Sequence, residues 1–360
     1  MFPAAAYTSE WINAQRKQLG GCDPGILETC IHALTLLGFL VESGLPFLFK
    51  GGTSLLLHLP QTRRLSRDIV CGLPTAEVDA VLATLGQRAP FLRYAEDVRG
   101  ARGLPRRRHF KFFYRSALPG HAEQPVLLDI VEESREVHAI VTRPIRTSFL
   151  APEREVLVRV PTIESLLGDK LTALAPITTG VPFFNANGDD QRQQVAKQLF
   201  DVAVLFDAAS DFEKVAEAYD AVWAMESEYR PAHPTREATL NDTWNACLAL
   251  TATKKTHLAA YPDAELLHNG LDRMTGHLTT PEFVRGREPR RLLAARAAVI
   301  VAHLRAGRSL DFATARYTGS TAQLASLRAA NLNGTAYDWI NRLKAVNPEA
   351  YHYWHMALSL

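Results

Sequence analysis

The sequence predicts an α+β chain, with a small mixed sheet and its helices up to about residue 160 and a larger helical half beyond. Three observations carry this. Short runs rich in branched and aromatic residues are confined to residues 45–160. From Thr162 onward apolar residues recur at helical spacing. Prolines 231, 234, 262, 281 and 289 then cut that second half into helix-sized pieces. With 360 residues, 47% of them hydrophobic, the chain can build two cores, so we divide it into domains 1–160 and 161–360.

Taken in order, Ser9–Gly20 and Pro24–Ser43 are predicted helices, the second with Ile26, Leu27, Ile31, Leu34 and Leu37 on an internal face. Leu45–Lys50 reads as a strand broken by Gly51-Gly52, after which Thr53 is the expected N-cap of a helix carrying Leu55, Leu56 and Leu57 and ended by Pro60. Ser66–Cys71 is a second strand and Thr75–Leu85 a helix. Phe91–Val98, His109–Arg115 and Pro125–Glu132 are extended, and the last two flank Pro119-Gly120 as a hairpin. Glu153–Val160 is the final strand. Helices follow at Ile163–Leu174, Gln191–Ala208, Phe212–Glu228, Glu237–Lys255, Ala264–Thr275, Arg290–Ala306, Thr321–Ala330 and Tyr337–Lys344.

Net charge is only +2, so any attraction for nucleic acid must be local. The cysteines Cys22, Cys30, Cys71 and Cys247 are scattered without a CxxC pair, which fits a reducing compartment and argues against a zinc site. The N-terminal residues lack a signal-peptide core, and Glu28 and His32 interrupt the apolar stretch Ile26–Val41, which is short for a bilayer. A cytoplasmic protein without a membrane partner is expected.

The chemistry concentrates in Phe49-Lys50-Gly51-Gly52-Thr53-Ser54-Leu55 and Arg63-Arg64-Leu65-Ser66-Arg67-Asp68-Ile69-Val70. A strand, a glycine turn and a helix start offer main-chain N–H groups to a phosphate, with the Thr53 and Ser54 hydroxyls as further donors. Alone, that turn reads equally as a capped helix start. Asp68 on the next strand and Asp129, the lone acid in Val126–Val131, raise the case, because a carboxylate among leucines and valines needs a cation or a pairing arginine. Two such acids beside a phosphate turn point to Mg²⁺ and a nucleoside triphosphate.

These residues resemble the AbiEii/AbiGii family of nucleotidyltransferase-like toxins, whose pattern runs Lys-Gly-Gly-Thr-Ser-Leu, then Arg-x-Ser-x-Asp-Ile-Asp, then a third acid on a hairpin strand. A second block matches at Gly168-Asp169-Lys170-Leu171-Thr172-Ala173 and Lys197-Gln198-Leu199-Phe200-Asp201, with Pro176, Thr178, Thr179, Gly180 and Pro182 between. The likeness spans roughly residues 45–207. It implies a polymerase-beta-type fold and an NTP substrate held by Gly51, Gly52, Thr53 and Ser54. It also implies Mg²⁺ on Asp68 and Asp129, Lys170 neutralising phosphate charge, and Asp201 completing the site from the helical domain. On spacing alone, Lys170 reads as solvent-facing and Asp201 as an exposed partner of Lys197.

The family's second strand acid is Val70 here. Residues 68 and 70 share one strand face, so two acids there hold two ions in a way that one does not. The resemblance therefore implies a toxin of a toxin–antitoxin or phage-defence system that transfers a nucleotide to an acceptor hydroxyl, on tRNA or another RNA, with an antitoxin as protein partner. The alternative is a catalytically impaired relative that binds nucleotide or RNA without transfer. Transfer onto a protein hydroxyl is a third, weaker reading.

Two basic clusters remain. Arg102 and Arg106–Arg108 precede the aromatic run His109–Tyr114, and Arg285, Arg287, Arg290, Arg291 and Arg296 gather at a helix start, where cations oppose the dipole and an anionic partner would help. Each also reads as ordinary surface. His352 and His355 in Tyr351–His355 lack a third metal ligand, which favours an aromatic plug.

Overall fold

A computed structural model describes residues 1–72, 78–98, 105–120, 122–132, 135–252 and 255–360, with no side-chain description of 255 and 256. Thr75 and Arg102 therefore lie outside the described residues. The chain divides into two compact units, Met1–Thr162 with Gly276–Pro281, and Ile163–Thr275 with Glu282–Leu360.

The first unit begins with α1 (Ser9–Gln18) and α2 (Pro24–Glu42), each with a side-chain N-cap, Thr8 and Asp23. Strands β1 (Leu48–Lys50), β2 (Asp68–Gly72), β3 (Phe91–Glu96), β4 (Arg106–Arg115) and β5 (Glu123–Glu132) form one sheet in the order β1-β2-β5-β4-β3. Only the β2–β5 pairing is parallel, so the sheet is mixed as predicted. The short helix α3 (Gly51–Ser54) joins β1 to β2, and α4 (Val78–Gly86) packs against β3. The predicted last strand is shorter than expected. It runs Leu157–Pro161 as β7 and pairs with β6 (Ile140–Pro144), which was not anticipated, in a separate two-stranded sheet.

Alternation sorts the main sheet into two faces. Phe49, Ile69, Cys71, Phe110, Phe112, Leu128 and Ile130 point inward and are almost wholly buried, with α2 packed across β2 and β5. Asp68, Val70, His109 and Asp129 alternate with them and are only half-buried. The polar interruptions of α2 have partners in this core. Glu28 accepts hydrogen bonds from Ser116 Oγ (2.7 Å) and the Ala117 amide (2.6 Å), and His32 stacks on Tyr114 with ring centroids 3.5 Å apart. Helix α2 has the length and composition to cross a membrane, contrary to the sequence estimate of its reach, but most of it is buried inside this unit, the place of a core helix.

The later segment Gly276–Pro281 braces the approach to β2. His277 O accepts from the Leu65 amide (2.7 Å), the Thr279 amide donates to Arg63 O (3.1 Å), and Thr279 Oγ1 donates to Thr62 O (2.7 Å).

The second unit is helical: α5 (Ile163–Ala173), α6 (Arg192–Ala208), α7 (Phe212–Glu228), α8 (Arg236–Thr251), α9 (Lys255–Leu258), α10 (Ala264–Arg273), α11 (Arg287–Ala306), α12 (Phe312–Ala315), α13 (Thr321–Ala329), α14 (Leu343–Val346) and α15 (Pro348–Leu358). The alanine-rich α11 is its central member and packs on α6, α8 and α15. Gly168 lets α5 approach α7 closely, since a Cβ there would lie 2.6 Å from the Tyr219 amide nitrogen. The aromatic C-terminal residues Tyr351, Tyr353 and Trp354 are buried in α15, and His352 Nε2 bonds Ala315 O at 2.8 Å.

Burial holds the His32 imidazole down at about 4, below its ordinary 6.5, against the raising effect of its bond to Glu28 O. The unfolded chain therefore binds a proton that the folded chain refuses. Stability is complete above pH 6.5 and falls as pH drops toward 4, by roughly 3 kcal/mol for this group at 1.36 kcal/mol per pH unit. Urea unfolding between pH 7 and pH 4 is expected to show that loss, and His32→Phe, which keeps an aromatic ring without a titrating group, to flatten it.

Candidate active site

The open sheet face owes its composition to register. Val70 lies beside Asp129 in the parallel β2–β5 pairing, and Lys50 lies opposite Val70 in the antiparallel β1–β2 pairing. Asp68 is two residues from Val70 and so projects to the same side as Asp129. At a strand spacing of ~4.8 Å and a rise of ~3.3 Å per residue, the two Cα atoms lie on a diagonal of roughly 8 Å, within reach of carboxylates that share one ion.

The glycine turn abuts this face. Gly51 adopts φ +74°, left-handed backbone that strains any side chain, and a Cβ there would come within 3.1 Å of Val70 Cγ2. A Cβ on Gly52 would lie 2.1 Å from Arg64 Nη2, so the buried Arg64 guanidinium rests on the backbone of the turn. In the sequence Arg64 stands out only as part of a basic run.

One local expectation is corrected. Thr53 is not an N-cap. Lys50 holds the cap position, and Thr53 lies within α3. Its buried hydroxyl donates to Asp68 O at 2.5 Å, and the buried Ser54 hydroxyl donates to Gly51 O at 2.7 Å. Both hydroxyls thus shape the turn and tie it to β2.

Asp129 has a partner on the neighbouring strand. His109, its antiparallel register partner on β4, places Nδ1 2.7 Å from Asp129 Oδ1. A hairpin centred between Pro119 and Gly120 would set His109 one residue off, opposite Ile130, so the predicted turn alone does not give the pair. On the β1 side, Lys50 is buried and lies 3.1 Å, Nζ to Nε2, from the buried His138.

Lys170 and Asp201 lie in the second unit. Neither is exposed, contrary to the reading from spacing. Lys170 Nζ is 2.9 Å from Gln198 Oε1 and 3.5 Å from Asp201 Oδ2, and the two side chains are 7% and 1% exposed. The loop between α5 and α6 is pinned by Asp242, whose Oδ2 accepts from the amides of Ile177 (2.8 Å) and Thr178 (2.9 Å) and from Thr178 Oγ1 (2.9 Å).

In the first basic cluster Arg106 and Arg107 are exposed. Arg108 is bound by Asp79 (2.7 Å) and Glu96 (2.8 Å), and Phe110, Phe112 and Tyr114 are core residues rather than a stacking platform. In the second cluster Arg290 bonds Val284 O (2.6 Å) and Asp272, Arg291 pairs with Glu288, and Arg296 bridges Asp207 (2.8 Å) and Glu349 (2.9 Å). These acids offset the charge of three of the arginines on α11.

Among the described residues no three His, Cys, Asp or Glu side chains cluster as metal ligands. Asp68 and Asp129 place carboxylate oxygens, the hard donor type that Mg²⁺ favours, on one half-buried face.

A family model described as "Nucleotidyl transferase AbiEii toxin, Type IV TA system" matches residues 36–274, more than half of the chain. No curated protein matches by sequence. Solved structures similar to this chain include the nucleotidyltransferase toxin MenT4 of Mycobacterium tuberculosis, at 15% identity and TM-score 0.44 over 83% of this chain and 99% of that one. The JHP933 protein of Helicobacter pylori aligns at 14% identity and TM-score 0.37 over 78% of this chain and 92% of its own.

Removing one partner of a buried ion pair strands the other charge. Asp201→Ala is expected to destabilise the protein by about 3–5 kcal/mol in urea unfolding, with part of the loss recovered in Asp201→Ala/Lys170→Met. A loss below about 1 kcal/mol would show that the pair does not support the fold.

Proposed function

The chain belongs to the AbiEii nucleotidyltransferase toxin family, and from that premise we propose that it moves a nucleotide from an NTP to an acceptor hydroxyl, with RNA such as tRNA as the acceptor class. The observation that carries the assignment of residues is the register that sets Asp68 and Asp129 on one open sheet face against the Gly51–Gly52 turn. In the reaction the acceptor oxygen bonds to the α-phosphorus, the bond from that phosphorus to the bridging oxygen of the β-phosphate breaks, and pyrophosphate and a proton are released. Asp68 and Asp129 are the Mg²⁺ ligands in this reading. A bound Mg²⁺ supplies neutralisation of phosphate charge and polarisation of the phosphoryl oxygens.

The main-chain N–H groups of the turn and the adjacent Arg64 guanidinium offer the triphosphate hydrogen bonds and positive charge. Lys170 and Asp201 are assigned, on the family pattern, to phosphate neutralisation and support of the site. Their buried pairing supports a common role. An antitoxin encoded as its partner follows from the family, and action in the cytoplasm, including in phage defence, is part of the same proposal.

Val70 motivates the second reading, a relative that binds nucleotide or RNA without transfer. It occupies the strand position between Asp68 and Asp129, with an apolar side chain against Gly51. The site then carries two carboxylates where the family pattern has three.

Incubation with each α-labelled NTP, Mg²⁺ and total RNA separates the readings. Transfer of label to RNA is expected, and Asp68→Asn or Asp129→Asn is expected to lower it by at least ~100-fold, the effect of losing about 3 kcal/mol of transition-state stabilisation. Nucleotide binding without transfer, with transfer appearing in Val70→Asp, establishes the second reading. Label that migrates with protein identifies a protein acceptor.

A further inference from the structure

We infer that His109 is a positioning residue that fixes the Asp129 carboxylate for cation binding. This rests on the assignment of Asp129 under Proposed function. An aspartate carboxylate rotates about a broad, two-fold torsion, so a ligating oxygen has a set direction only when something holds the group. The His109–Asp129 bond does so, with Nδ1 2.7 Å from Oδ1. The two residues are direct partners in the β4–β5 ladder, so the sheet sets the geometry, and their side chains are 16% and 30% exposed. Among the described residues Oδ2 has no hydrogen-bond partner, which leaves one oxygen presented on the open face.

The other neighbour of Asp129 makes this hold more consequential. On the β2 side stands Val70, which offers neither a ligand nor a hydrogen bond. With two carboxylates in place of three, misdirection of either removes half of the protein's oxygen donors. Outer partners of metal ligands are worth about 10–100-fold in affinity where they have been removed. A direct ligand role for His109 through Nδ1 is at odds with that nitrogen's bond to Asp129, and Mg²⁺ prefers oxygen.

The test uses the full chain and Mn²⁺ as the probe, with bound and free ion separated by electron paramagnetic resonance, in the presence of a non-hydrolysable NTP. Loss of Mn²⁺ binding in Asp129→Asn establishes the underlying assignment. Wild-type affinity in that variant overturns both the assignment and the inference. Given the assignment, His109→Leu is expected to weaken Mn²⁺ binding by about 10–100-fold. His109→Asn, whose amide places an N–H near the position of Nδ1, is expected to recover most of it. In label transfer the leucine variant is expected to lower kcat while KM for NTP stays within about threefold, and a urea midpoint within experimental reach of wild type shows that the sheet is intact. A leucine variant that folds and binds Mn²⁺ as the wild type does, or an asparagine variant no better than leucine, overturns the positioning role. Should His109→Leu fail to fold, His109→Gln, which lengthens the side chain and displaces the donor, is compared with His109→Asn in its place. Equal Mn²⁺ affinity in those two contradicts the inference.

Discussion

Everything at the open face depends on strand register. The β2–β5 ladder sets Val70 against Asp129, and a slip of one residue would turn one of the two carboxylates into the core beside Ile69 or Leu128. An unpaired carboxylate is costly to bury there, and so is an isoleucine left in water, so the hydrophobic face enforces the placement of the polar one. Packing and chemistry are thus two sides of one alternation. The brace from Gly276–Pro281 onto residues 62–65 and the Thr53–Asp68 hydrogen bond hold the entrance to β2 in place.

The same economy governs the glycine turn. Gly51 has the left-handed backbone that ends β1, and Val70 packs where a Cβ would project. Gly52 leaves room for the Arg64 guanidinium. The hydroxyls of Thr53 and Ser54 serve this shape from within.

Much of this was legible beforehand because it rests on local rules. Alternation in Val126–Val131 marked Asp129 as an outlier, the glycine pair marked the turn, and helical spacing marked the second half. The misses have physical causes. Thr53 looks like a cap because cap preference is statistical, whereas the helix begins as soon as Gly51 permits the turn. The pairing of β6 with β7, and the return of residues 276–281 to the first unit, join segments distant in the chain and leave no periodic trace. Lys170 and Asp201 looked exposed because their burial is mutual, and a charge that carries its partner inside is indistinguishable in sequence from two surface charges. The bond between His109 and Asp129 depends on a register one residue away from a turn centred on Pro119-Gly120, a difference that strand alternation does not resolve across a loop.

The central claim is that Asp68 and Asp129 jointly hold one divalent ion together with the triphosphate. Crystals grown with Mn²⁺ and a non-hydrolysable NTP, measured for anomalous scattering, test it most directly. The account predicts one peak bonded at about 2.0–2.2 Å to an oxygen of each aspartate and to a phosphate oxygen. A nucleotide bound with its metal touching neither carboxylate, or seated away from the Gly51–Gly52 turn, would contradict it.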